Sequence, residues 1–160
     1  MHPMPSETNE VLESIDKHIK KFGWGIVSFE DDKPLYVTSV GIHQSLGFSE
    51  IIVLGLPVEV SHRIINSVAL QMRSGRKIKN RTPYEDIIEG SRVILLDVDR
   101  RKRRPYFELA EEYYGHNKFP ISQLVWSDVN NFLPWEDGYD EELMPVQPVL
   151  NDGVMNLRVV

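Results

Sequence analysis

The run Gln123-Leu124-Val125-Trp126-Ser127-Asp128 carries the residues best placed to do chemistry. An apolar strand ends there in an indole and a carboxylate. The chain then passes Asn130-Asn131 and meets Pro134-Trp135-Glu136-Asp137-Gly138, a second indole beside two acids. Large aromatics next to fixed polar groups are what a small-molecule pocket needs. Asp128 and Glu136, bracketed by tryptophans, are the acids whose pKa an apolar setting would raise. Capping the turn that follows is the plainer role for Asp128, and the stronger of the two readings.

The expected pocket is rimmed by Trp24, Tyr36, Thr38, Trp126, Asp128 and Trp135. Its aromatics would stack a ring, Thr38 and Asp128 would fix a polar edge, and Arg76 or Lys77 would meet a phosphate. That describes a binding domain for a small nucleotide- or flavin-like ligand. An enzyme built on the same pocket, a flavin-dependent oxidoreductase or a hydrolase, would draw its base from Asp128, Glu50 or His43.

Other chemistries leave no signature. The chain has no Cys, which excludes thiolate metal sites, disulfides and cysteine nucleophiles. The histidines, His2, His18, His43, His62 and His116, form no His-x-x-x-His pair, and no metal site is expected. Thr38, Ser39 and Ser45 lie near His43 in sequence, but no Gly-x-Ser-x-Gly elbow occurs. Neither a Gly-x-Gly-x-x-Gly nor a Walker-type loop is present.

Charge is unevenly spread. Residues 73–104 hold eleven of the eighteen Lys and Arg but only five of the twenty-four Asp and Glu. The five consecutive bases Arg100, Arg101, Lys102, Arg103 and Arg104 would attract nucleic acid by counterion release. Against this, the run has no interleaved aromatics and the protein has a net charge of −6. A solvated loop, or self-association with the acidic stretch Glu136 to Glu142, competes with that reading, so a homo-oligomer is a second partner to consider.

The elements that must hold these residues follow from periodicity. Glu7 to Phe22 is an amphipathic helix with Val11, Leu12, Ile15, Ile19 and Phe22 on one face. A hairpin follows, Trp24 to Glu30 and Leu35 to Ile42, turning at Asp31-Asp32-Lys33-Pro34. His43 to Glu50 reads as a loop and Ile51 to Leu56 as a buried strand. Val58 to Ser74 is a second helix. Tyr84 to Ile88 and Arg92 to Val98 are strands, and Pro105 opens a third helix that Gly115 ends. Ile121 to Trp126 is the last strand. This order predicts an α+β fold, a mixed or antiparallel sheet, barrel-like if it closes, with about three packed helices. The 160 residues fit a single domain with a core over about 8–138 and a surface-wrapping tail over 139–160. No apolar run approaches the ~20 residues of a membrane span. The N-terminus lacks a signal peptide's basic and apolar regions. No membrane contact and a cytoplasmic location are therefore expected.

Several ordered motifs carry a resemblance. They are Gly23-Trp24-Gly25-Ile26-Val27, Tyr36-x-Thr38-x-x-Gly41, Glu50 to Leu56, Tyr113-Tyr114-Gly115, and Gln123 to Asp128 with Pro134-Trp135. Together they resemble the bacterial family known as domain of unknown function 4262, from about Gly23 to Gly138. That family often has His-Pro-Glu before the third strand. Phe48-Ser49-Glu50 stands here, so of the three only the Glu is kept. The resemblance implies a fold and a pocket location, not a reaction. More faintly, the order of elements is similar to flavin-reductase-like split barrels, which is the ground for considering flavin as a cofactor.

Overall fold

Side chains alternate along a strand, so each strand of a covered sheet feeds two cores at once. The computed structural model describes residues 5–116 and 118–155. Its strands are β1 (Gly25–Phe29), β2 (Tyr36–Val40), β3 (Glu50–Leu54), β4 (Pro83–Ile88), β5 (Ser91–Asp97) and β6 (Ile121–Trp126). They form one sheet in the order β1-β2-β3-β6-β5-β4. Only the central pair, β3 with β6, is parallel. The class is α+β, as the sequence implies. The sheet does not close into a barrel: β1 and β4 remain its two edges.

Helix α3 (Val58–Arg73) covers one face. Its Ile64, Ile65, Val68 and Ala69 pack on Val37, Ile51, Val53, Leu95, Leu124 and Trp126. Each large apolar side chain so buried stabilises the fold by roughly 1.5–3 kcal/mol. The other face is covered in two parts. Helices α1 (Pro5–Phe22) and α4 (Glu108–Tyr114) bring Ile15, Ile19 and Ala110 onto Tyr36, Val40, Ile52 and Leu54. The chain after β6 brings Leu133, Val149 and Val154 onto Ile94, Leu96 and Val125, ending in α5 (Asp152–Met155).

The segment expected to wrap the surface is thus partly core. Two buried amides fasten it. Gln147 accepts from the Trp126 N–H at 2.9 Å and donates to its carbonyl at 3.0 Å. Gln123 donates to the Pro148 carbonyl at 2.9 Å and accepts from the Leu150 N–H at 2.8 Å. Each amide does for the neighbouring backbone what another strand would do.

Two local differences from the sequence reading bear on the site. Ile42–Leu46, expected as the last strand residue and a loop, forms the short helix α2 between Gly41 and Gly47, both in the left-handed region. Helix α4 begins at Glu108 rather than at Pro105: after a separate 3₁₀ turn at Arg100–Lys102, residues 104–107 form turns.

At the far end of β3, Gly55 has φ +86°, and an added Cβ would meet the Val146 carbonyl and its Cγ1, the latter at 2.8 Å. Gly55→Ala should therefore lower the unfolding free energy by about 2 kcal/mol or more, read as a shift of the urea midpoint.

Candidate functional site

At one end of the sheet β2 and β5 finish while β3 and β6 begin. Glu50, the first residue of β3, is wholly buried there. A buried carboxylate is costly unless donors surround it. Five do. Oε1 accepts from Ser39 Oγ at 2.6 Å and from the Ile42 N–H at 3.2 Å. Oε2 accepts from the Gly41 and His43 N–H groups at 3.1 and 3.0 Å, and from the Tyr114 hydroxyl at 2.6 Å. The backbone can converge in this way because Gly41 has φ +109°, and its missing Cβ leaves room for Ile19, which an added carbon would meet at 2.8 Å.

Tyr114 completes the shell. Its hydroxyl donates to Glu50 and accepts from the N–H groups of Gly41 at 3.0 Å and Gln44 at 3.3 Å. Burial first, and then the Glu50 charge, push its pKa well above the ordinary tyrosine value. Tyr113 beside it reaches Gln44 at 3.0 Å and Asp16 at 3.3 Å. The His43 ring stands edge-on to Tyr114 with centroids 5.9 Å apart, and its Nδ1 lies 3.3 Å from the Phe48 carbonyl.

His43 also lines a hollow of about 510 Å³, together with Asp97, Arg100, Arg103, Lys118 and Phe119. Arg103 is buried, donates to the Phe119 carbonyl and lies 4.8 Å over the Phe119 ring. Burial is the main force drawing its pKa down; Glu111 opposes the shift and Arg100 adds to it. Asp97 is paired with Arg81 at 3.2 Å.

A family model described as "Domain of unknown function (DUF4262)" matches residues 18–140, most of the chain. The protein belongs to the DUF4262 family. Neither a curated protein nor a solved structure matches it.

In this DUF4262 chain the indoles are not gathered at one mouth. Trp126 shares a cluster with Leu95 and Leu124, while Trp135 packs with Leu96 and Val125, so strand alternation puts them on opposite faces of the sheet. Trp126 Nε1 donates to the Leu54 carbonyl at 2.9 Å, at the far end of β3 from Glu50. Trp24 precedes edge strand β1 and donates to Asn66 Oδ1 at 2.9 Å. Tyr36 and Thr38 are buried in β2, with Tyr36 stacked on Phe29 at 4.6 Å. Arg76 pairs with Asp86 at 2.9 Å and lies over Tyr84, and Lys77 is exposed.

The acids also have other work. Asp128 caps its turn: Oδ1 accepts from the Asn130 and Phe132 N–H groups and Oδ2 from Asp140, each at 2.9 Å. Burial works against its charge, but the three donors together hold its pKa below the usual carboxylate value. Glu136 behaves alike. Burial opposes its charge, while Arg92 and the Leu133 N–H hold its pKa down. An apolar setting that raises these values is therefore not what the turn provides.

The basic run does not form one stripe. Lys102 pairs with Asp152 at 2.8 Å, Arg101 approaches the same carboxylate at 3.6 Å, and Arg103 turns inward. Among the described residues, no group of three or more His, Asp or Glu could hold a metal ion. No described helix is long and apolar enough to cross a membrane. The sequence reading did not select Arg103, Lys118 and Phe119 as one hollow, because only folding joins residues 97–103 to 118–121.

Tyr114→Phe should cost about 2 kcal/mol in urea unfolding, since Glu50 loses a donor and two N–H groups lose an acceptor. The pH dependence has a definite sign. A pKa raised by folding gives stability that is intact below the unfolded tyrosine value of about 10 and falls as pH climbs past it. The Phe variant should show a shallower alkaline loss than the wild type. Asp128→Ala should cost about 3 kcal/mol, and its stability should fall less than the wild type's below about pH 4.

Proposed function

We propose that this DUF4262 protein is a binding domain for a small nucleotide-like anion, held in the hollow beside Glu50. The observation that supports the reading is the convergence of Arg100, Arg103, Lys118 and His43 on one cavity of about 510 Å³. Among the described residues that line it, the one acid, Asp97, already has Arg81 as a partner. Such a concentration of cations in a protein of net charge −6 favours a phosphate-bearing ligand, and Phe119 and Pro120 offer it apolar wall.

Glu50 acts in this reading as a fixed internal anion rather than as a base. Both oxygens are occupied by donors and the residue is sealed from solvent. What it contributes is shape. It holds α2, and with it His43, at the rim of the cavity.

Thermal unfolding against inorganic phosphate, ADP and flavin mononucleotide tests the idea. At least one of them should raise the Tm, by an amount that shrinks as salt is added. The doubly charge-reversed chain Arg100→Glu/Lys118→Glu should keep its fold and lose the effect. A panel that leaves the wild-type Tm unmoved, with native mass spectra giving only the bare chain, would overturn the reading.

A further inference from the structure

A second cleft lies at the β1 edge of the sheet, which α1 and α3 flank. Two adjoining hollows of about 250 and 300 Å³ meet there, and His18, Trp24 and Asn66 line both. We propose that this cleft is a binding site for a small monocarboxylate with a flat apolar body, separate from the hollow beside Glu50.

The cleft's polar groups have fixed directions. An indole N–H can only donate, so the atom of Asn66 that meets Trp24 Nε1 is its oxygen. The Asn66 NH₂ therefore faces His62 Nδ1, at 3.2 Å. That nitrogen must accept, so neutral His62 carries its proton on Nε2. His62 lines the smaller hollow and is left with a donor free of Asn66. Arg73 lies over the Trp24 ring at 5.1 Å and lines the larger one. No ion pair involves Arg73 among the described residues, and no Asp or Glu lines either hollow.

The walls are apolar and unusually exposed. Phe22 is 51% exposed and Leu70 44%, two of the large hydrophobic side chains left open among the described residues. Phe22 is braced by His18, with ring centroids 4.6 Å apart. One guanidinium, with an imidazole N–H beside it, matches a single negative charge. The hollow beside Glu50, with two arginines and a lysine, matches a multiply charged phosphate instead. Charge count separates the two sites.

The probe is 2-naphthoate, followed through the indole N–H signals of the three tryptophans by NMR. The Trp24 signal, assigned by its loss in Trp24→Phe, should move with naphthoate while those of Trp126 and Trp135 stay in place. 2-Naphthamide, which has the same body and no charge, should bind about tenfold more weakly, and so should the exposed variant Arg73→Gln. Arg100→Glu/Lys118→Glu should bind naphthoate as the wild type does. The inference fails if millimolar naphthoate leaves the Trp24 signal still, if naphthamide binds equally well, or if Arg73→Gln has no effect. A naphthoate shift that requires Arg100 and Lys118 would also overturn it, by placing the ligand in the other hollow.

Discussion

A carboxylate with no access to water organises one end of this molecule. Glu50 ties together the end of β2, the first turn of α2, the start of β3 and the end of α4. Burying such a charge alone would cost several kcal/mol, so the surrounding donors are a condition of the fold and not an addition to it. The same requirement explains Gly41. A side chain there would collide with α1 and spoil the approach of three N–H groups to Glu50.

Much of the architecture was legible in the residues. The 3.6-residue period of Val11 to Phe22, the helix read over Val58 to Ser74, and the strands read over 35–42, 51–56 and 92–98 identify elements that the structure contains. The parallel join of β3 to β6 was not legible, because periodicity says nothing about which strands become neighbours. Helix α2 escaped notice because five residues are too few to show a period; its only mark was the pair of glycines at 41 and 47.

The site was less legible, for a different reason. Trp126 and Trp135 are near in sequence, but one strand and one turn suffice to send them to opposite faces. Asp128 offered both a raised pKa and a turn cap, the cap as the stronger reading, and the cap is what its lone pairs serve. Glu50 and His43 were visible as residue types that can transfer protons. What could not be seen was Tyr114, 64 positions along the chain from Glu50, closing over them. The cation cavity joins His43 and Arg100, singled out for separate reasons, to Lys118 and Phe119, and the α1–α3 cleft joins Trp24 to Asn66 and Arg73; both arise from long-range pairing.

The central strand pair sets the order in which the protein can be made. Glu50–Ile52 must wait for Ile121–Gln123 to be synthesised before the sheet has a middle. Until then β3 offers an open edge with apolar side chains on both faces, the situation that invites pairing with another chain. A nascent first half therefore carries β3 as an unpaired apolar edge until the residues of β6 have followed it.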